Sequence, residues 1–97
     1  MEIKVLLSEA RKMWGDQKMS LKDMLVRYGV VFGDLCRYER TADKDYAWRT
    51  QEELEKELGN LIFSTIRFCD DLGLDPEACI RRAMEAQQKF VNTNKNR

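Results

Sequence analysis

The residues best suited to chemistry form a polar stripe along one long predicted helix. Successive members are three or four residues apart, which places their side chains on one helix face. They are Glu57, Asn60, Ser64, Arg67 and Asp71. Carboxylates in such a stripe can hold Mg²⁺, and an arginine can hold an anion. The stripe therefore predicts either a ligand site or a buried polar seam between helices.

A second polar group lies on the preceding helix and is expected to face the stripe. Its candidate binding residues are Asp34, Arg37 and Tyr38. An arginine can bind a phosphate through two N–H groups at once, without a metal ion. A structural alternative stays open, because Arg37 can pair with Asp34 on its own helix and Arg67 can balance a buried carboxylate.

Trp48 lies within residues 41–49, a polar and charged segment that is predicted to be a loop. An aromatic ring at this position can stack on the base of a nucleotide. It can equally close the end of a helical bundle by packing against apolar side chains. The sequence leaves both roles open for Trp48.

The overall composition excludes several classes of function. Lys plus Arg and Asp plus Glu both number 17, so no net field attracts nucleic acid or an anionic membrane. The absence of histidine excludes histidine-based catalysis and histidine-ligated metal. The three cysteines are expected to be reduced thiols, and no apolar run approaches the ~20 residues that span a bilayer. These observations predict a cytoplasmic protein without a signal peptide and without a membrane or nucleic-acid partner.

Helical periodicity predicts four helices and no strands. The helices are expected at residues 3–14, 20–40, 50–73 and 76–90, followed by a polar tail at residues 92–97. No change in composition divides the chain, so residues 1–97 are predicted to form one domain. Four amphipathic helices predict an all-α fold, with an up-and-down bundle as its simplest arrangement.

Capping residues set the limits of the predicted helices. Ser20 is expected to begin the second helix, and Thr50 with Glu53 has the spacing of a capping box that begins the third. Gly73 is predicted to end the third helix in the left-handed conformation. The pair Asp75–Pro76 then supplies an N-cap and a first helical residue for the fourth helix.

Apolar residues at helical spacing predict which helix sides are covered. On the third helix the predicted apolar side comprises Leu54, Leu58, Leu61, Ile62, Thr65, Phe68, Cys69 and Leu72. Gly29 and Gly33 share a face of the second helix, and close approach by another helix is their simplest explanation. The apolar positions are too many for one thin bundle. An obligate homo-oligomer, a dimer or larger, is therefore predicted through the second and third helices.

Three short segments together carry a recognisable pattern. Residues 53–63 read Glu-Leu-Glu-Lys-Glu-Leu-Gly-Asn-Leu-Ile-Phe, and residues 71–77 read Asp-Leu-Gly-Leu-Asp-Pro-Glu. Upstream, residues 30–35 read Val-Val-Phe-Gly-Asp-Leu. This pattern resembles the MazG-like nucleotide pyrophosphohydrolases, in which an acidic helix is followed by a leucine-glycine-hydrophobic-aspartate-proline joint. The resemblance covers roughly residues 25–90 and implies a MazG-like four-helix bundle.

The resemblance also implies magnesium-dependent cleavage of nucleoside triphosphates between the α- and β-phosphates. In the family, carboxylates on two adjacent helices hold Mg²⁺, which binds the triphosphate and activates water. In this chain Val30 and Val31 stand in place of two adjacent glutamates, and Asn60 stands in place of an aspartate. Asp34 and Glu57 remain as candidate metal ligands, with weak magnesium binding expected.

The missing carboxylates and the nearby arginines favour direct binding of phosphate. The predicted function is a non-hydrolysing nucleotide binder that needs no cofactor and sequesters a phosphorylated or cyclic nucleotide, as phage-encoded sponges do. Its predicted nucleotide-binding residues are Arg37, Tyr38, Trp48, Asn60, Ser64 and Arg67. One alternative is a magnesium-dependent nucleoside triphosphate pyrophosphohydrolase that uses Asp34 and Glu57, with Glu53 or Asp71 as alternative ligands. Another is a structural or regulatory helical protein with no small ligand.

Overall fold

A computed structural model of the chain describes residues 2–95, which form helices joined by turns and loops. The helices are α1 (Ile3–Trp14), α2 (Leu21–Arg40), α3 (Gln51–Asp71) and α4 (Pro76–Lys95). The all-α prediction is confirmed, because no strand occurs in this part of the chain. None of the described helices is both long and apolar enough to span a membrane.

The predicted N-caps are present, although one of them is only half formed. Ser20 Oγ accepts a hydrogen bond from the Asp23 amide at 3.1 Å, and Asp23 accepts one from the Ser20 amide in return. Thr50 accepts from the Glu53 amide at 3.1 Å. Glu53 forms a 2.7 Å ion pair with Lys56 and does not complete the predicted capping box. The Glu53 carboxylate thus contacts Lys56, about one turn further along the helix, and does not accept a hydrogen bond from the Thr50 amide.

The joint between α3 and α4 forms as predicted. Gly73 has a φ of +74°, and the Leu74 amide donates to the Cys69 carbonyl at 2.8 Å, which is a Schellman cap. Asp75 then accepts a hydrogen bond from the Glu77 amide at 3.1 Å and caps α4. Helix α4 continues through residues 92–95, so the part of the predicted polar tail that is described is helical, and residues 96–97 lie outside the described part of the chain.

Helix α3 is the centre of the fold, and the other helices pack against it. Arg11 of α1 donates two hydrogen bonds to the Asp70 carboxylate, at 3.0 and 2.7 Å. Hydrogen bonding from Arg11 lowers the pKa of the Asp70 carboxyl below its usual value. On the α2 side, the Tyr28 hydroxyl contacts the Thr65 hydroxyl. Polar contacts therefore connect both α1 and α2 to α3.

The core of one chain is small and partly polar. Among the described residues, its buried apolar side chains are Ala10, Met24, Val31, Ile66 and Pro76. The buried residues of α3 are Glu57, Ser64, Ile66 and Arg67, so three of the four come from the polar stripe. The polar stripe, and not the apolar side of α3, therefore faces α1 and α2.

Half of the predicted apolar side of α3 is exposed, and its other four residues are half-buried. Leu58, Ile62 and Leu72 are exposed by 45, 62 and 53%. The expected close approach of another helix at Gly29 and Gly33 does not occur among residues 2–95, because none of their atoms lies within 4 Å of a Cβ added at either glycine. A core built from the stripe leaves these apolar positions at the surface.

Prediction for the α3–α4 joint. Replacing Gly73 with alanine should lower the free energy of unfolding by about 1–2 kcal/mol, because an L-residue adopts this left-handed backbone only at a cost. Gly59→Ala is the matched control: a Cβ there meets no neighbour, and the gain in helix propensity is about 1 kcal/mol. Urea denaturation measures both variants. Equal effects of the two substitutions would contradict the assigned cap.

Candidate functional site

A cleft of about 170 Å³ opens where α2 and α3 meet the loop between them. We call it the aromatic cleft. It is lined by Asp34, Leu35, Arg37, Tyr38, Trp48, Glu53, Leu54, Lys56 and Glu57. Two elements adjacent in sequence form its walls, since the 41–50 segment returns the chain from the end of α2 to the start of α3. The loop aromatic therefore comes close to the acids of both helices.

Arg37 lies over the ring of an aromatic side chain. Its Cζ lies 3.9 Å from the centroid of the Trp48 ring, a cation–π contact. Tyr46 stacks on the same tryptophan, with ring centroids 5.7 Å apart and planes 11° from parallel. Within residues 2–95 the Arg37 side chain forms no ion pair, and the expected alternative pairing with Asp34 is absent. The guanidinium N–H groups of Arg37 are thus available to a ligand.

A second arginine fixes the tyrosine of the cleft. Arg49 Nε donates to the Tyr38 carbonyl oxygen at 3.0 Å, and its Cζ lies 4.4 Å from the Tyr38 ring centroid. The two arginine–aromatic contacts, at Trp48 and Tyr38, occupy ring faces that a nucleotide base would use. Base stacking on Trp48 would therefore displace Arg37 or Tyr46.

Lys56 supplies a second positive charge at the cleft. Its Nζ lies 2.7 Å from a Glu53 carboxylate oxygen and 3.7 Å from Glu57 Oε1. The hydrogen bond with Glu53 raises the pKa of Lys56 above its usual value. Because Lys56 is shared between two acids, Arg37 is the cation of the cleft that has no carboxylate partner.

Glu57 carries an unsatisfied buried oxygen. The residue is only 7% exposed, and its Oε2 atom has no hydrogen-bond partner among the described residues. A buried carboxylate oxygen without a donor costs about 1–3 kcal/mol or more. Glu57 is therefore a strong acceptor for any donor or cation that enters the cleft.

A neighbouring cleft of about 290 Å³ shares two acids with the first one. We call it the seam cleft, and Asp34 and Glu57 line both. It is also lined by Met19, Asp23, Val26, Arg27, Val30, Val31 and Asn60. Its arginine is engaged, because Arg27 Nε donates to Ser64 Oγ at 2.6 Å. The predicted Asn60 thus lies in the seam cleft, whereas Ser64 is buried beneath Arg27.

Arg67 lies away from both clefts. Its Cζ is 4.1 Å from the Trp14 ring centroid, and Nη2 donates to the Gln17 carbonyl at 3.3 Å. Its Nε is 3.7 Å from Asp71 Oδ2, and the residue is 8% exposed. Ten residues of α3 separate it from Glu57, which is about 15 Å along the helix. The structure therefore does not bring Arg67 to Asp34 and Glu57, and its observed contacts are those of a structural residue.

The two clefts assemble part of the predicted site. Arg37, Tyr38, Trp48, Asp34 and Glu57 come together in the aromatic cleft, and Asn60 lies next to it. The prediction did not include Lys56 at this cleft. The three-residue spacing of Glu53 and Lys56 indicates that the two share a helix face, and this was the available signal.

The acidic side chains that line the two clefts do not form one tight cluster. Within residues 2–95, no three acidic or cysteine side chains converge closely enough to hold one metal ion together. Asp34, Glu53 and Glu57 nevertheless line the same cleft, and the unsatisfied oxygen of Glu57 suits a hard cation. The donor set therefore fits a weakly held, hydrated Mg²⁺ better than a fully coordinated one.

Comparison with known proteins does not assign a family. No protein family, curated protein or solved structure matches this chain. The function is therefore argued from the residues of the two clefts.

Prediction for Arg67. Arg67→Ala should lower the free energy of unfolding by about 2–4 kcal/mol, because it removes a buried cation–π contact and a charged hydrogen bond. Arg82→Ala, on the exposed part of α4, should change stability by less than about 0.5 kcal/mol. Urea denaturation measures stability, and calorimetry measures nucleotide affinity. Full stability together with weakened nucleotide binding would instead place Arg67 in a ligand site.

Proposed function

We propose that the aromatic cleft binds a nucleotide directly and does not hydrolyse it. The observation that carries this proposal is Arg37: it lies over the Trp48 ring, lines the cleft and has no carboxylate partner among the described residues. A guanidinium fixed in this way loses little conformational entropy when it binds a phosphate. The corresponding role is the sequestration of a phosphorylated or cyclic nucleotide.

The charges of the cleft indicate how such a ligand lies in it. Asp34, Glu53 and Glu57 outnumber Arg37 and Lys56, so a phosphate is favoured only at the arginine end. At the other end, the free oxygen of Glu57 accepts an N–H of the base or a hydroxyl of the sugar. A ligand with an anionic end and a hydrogen-bond-donating end satisfies both. Nucleotides have this chemistry.

The size of the cleft limits how much of the ligand it can enclose. Its volume of about 170 Å³ is below the roughly 300–1,000 Å³ of most small-molecule pockets. The seam cleft adds about 290 Å³ across the shared acids Asp34 and Glu57. We infer that a nucleotide occupies both clefts, with its phosphate near Arg37 and its remaining groups towards Asn60.

A magnesium-dependent pyrophosphohydrolase is the second candidate function. It is favoured by the buried, unsatisfied Glu57 oxygen beside Asp34 and Glu53. Glu57, with at most one of the other two acids, would hold the ion, and water molecules would complete its coordination. Bound Mg²⁺ would supply charge neutralisation on the phosphates and a more acidic water. Lys56 would compete with the ion for Glu53 and Glu57, to which it already lies close.

We also propose that the chain forms a homodimer through the uncovered face of α2 and α3. Leu21, Leu25 and Phe32 of α2 are exposed by about 60% or more, beside the exposed leucines and isoleucine of α3. The Tyr28–Thr65 contact shows that the two rows are neighbours. A second copy would cover both rows at once, as in the packing of paired antiparallel helices.

Prediction for Arg37. Arg37→Ala should weaken nucleotide binding by about 1.5–3 kcal/mol, roughly 10- to 100-fold, because it removes a charged hydrogen-bond donor to the phosphate. Arg40→Ala is the matched control, since Arg40 is exposed on the same helix and lines neither cleft. Calorimetry follows a thermal-shift panel of nucleoside mono- and triphosphates and cyclic dinucleotides. Equal affinities for both variants would refute the proposed phosphate contact.

Prediction for metal dependence. Nucleotide binding should be unchanged by a chelator, because Arg37 neutralises the phosphate directly. The same panel is run with Mg²⁺ and with EDTA, and pyrophosphate release is assayed in parallel. Pyrophosphate formed from a triphosphate only in the presence of Mg²⁺, and lost in Glu57→Gln, would establish the pyrophosphohydrolase instead.

A further inference from the structure

Helix α4 is amphipathic along its whole described length. At 100° per residue, its apolar side chains occupy one arc of the helix, and Arg81, Arg82, Glu85 and Lys89 lie on the opposite side. The large members of the apolar arc are Ile80, Met84, Phe90 and Val91. A helix with this pattern is normally covered along one side by other apolar groups.

The distal part of α4 has no such cover within the chain. Residues 81–94 are all exposed, and Met84 and Phe90 are exposed by 65 and 69%. Near its start α4 lies close to α3, where Cys69 Sγ and Cys79 Sγ are 3.9 Å apart. From Ala83 to Lys95 the helix rises by about 18 Å, and all of this length lies beyond Cys79. The distal part, residues 84–94, is therefore an arm that projects from the bundle.

An apolar groove of about 440 Å³ separates the start of α4 from α3. Leu61, Ile62 and Ile66 form one wall, and Cys79, Ile80 and Ala83 form the other. The groove is continuous with the uncovered face of α3, because Ile62 belongs to both. Apolar side chains of suitable length can therefore enter it from outside the chain.

The solvent-accessible surface area of the chain indicates how much surface a partner would have to cover. Its accessible surface is 7818 Å², against about 5,800 Å² for a compact monomer of 11.5 kDa. Its radius of gyration is 16.5 Å, against about 12.5 Å for a compact domain of this length. The excess of about 2,000 Å² exceeds the ~800 Å² per partner of a standard interface and falls in the range of obligate dimers.

We propose that the arm of each α4 crosses onto a second copy of the chain and packs on the uncovered α3 face of that copy. This inference rests on the homodimer proposed above and adds the α4 arm as the element that holds the two copies together. Equal numbers of acidic and basic residues allow two copies to approach without net repulsion. If a two-fold axis relates the two copies, the arm of each copy covers the groove of the other. One symmetric interface then covers both arms and both grooves, as in a closed dimer.

The test substitutes the exposed end of the arm in the full chain. Phe90→Asp should raise the dissociation constant of the dimer by about 100-fold or more, because a charge replaces an aromatic ring that is exposed in one chain and that the proposed interface would bury. Gln88→Asp introduces the same charge outside the apolar arc and should leave the constant unchanged. Light scattering over a dilution series measures the mass. Circular dichroism checks that both variants remain helical, as expected for residues that are exposed in one chain.

Photo-crosslinking locates the arm directly. A photoreactive phenylalanine analogue at Met84, in a mixture of ¹⁴N- and ¹⁵N-labelled chains, should crosslink to α3 of a differently labelled copy. A crosslink confined to one chain would show that α4 folds back on its own α3 and would overturn the proposal.

The outcomes separate the arm from the homodimer. A wild-type mass of 11.5 kDa at micromolar concentration is that of a monomer, and it would contradict both the homodimer and the packing of the arm. If the wild type is a dimer and Phe90→Asp leaves it unchanged, the proposed packing of the arm is wrong, and the proposed α2–α3 interface still stands. Binding of the chain to anionic phosphatidylserine vesicles, lost in Phe90→Asp while the dimer persists, would assign the arm to a membrane surface and overturn its packing on a second copy.

Discussion

The burial of the polar side of α3 is the constraint on which the rest of the structure depends. Polar groups taken out of water need partners, and most of those on α3 find them on α1, on α2 or in the segment between these two helices. Glu57 Oε2 and Arg67 Nε are the buried side-chain atoms of α3 that lack a hydrogen-bond partner among the described residues. Arg67 lies against Trp14 and the Gln17 carbonyl, and Ser64 accepts a hydrogen bond from Arg27. These contacts fix which side of α3 faces inward. The apolar side of the same helix is consequently left at the surface.

The candidate site is the part of this polar seam that is not fully satisfied. Glu57 keeps a buried oxygen without a donor, and Arg37, held on Trp48, keeps N–H groups without an acceptor. Within one chain these two groups do not pair with each other. An acceptor and a donor set apart in one cleft suit a ligand that has both kinds of group, which is the physical basis of the nucleotide proposal.

The uncovered apolar surface and the projecting α4 follow from the size of the chain. Four helices of this length cannot both enclose a polar seam and hide every apolar row. A hydrophobic surface of this extent is unfavourable in water unless another surface covers it. The proposed self-association would resolve the conflict, because the same apolar rows would then become the core between two copies. The proposed site and the proposed interface would lie on different sides of α3.

The sequence by itself determined the local structure. Caps such as Ser20 and Gly73 depend on neighbouring backbone groups, so helix limits could be predicted within a few residues. The meeting of Arg37 with Trp48, the distance of Arg67 from Glu57 and the exposure of the apolar rows were decided only by tertiary structure. Periodicity shows which residues share a face, but not what covers that face. That choice depends on contacts between distant segments, and here polar pairing across helices outweighed the burial of the apolar side of α3 within one chain.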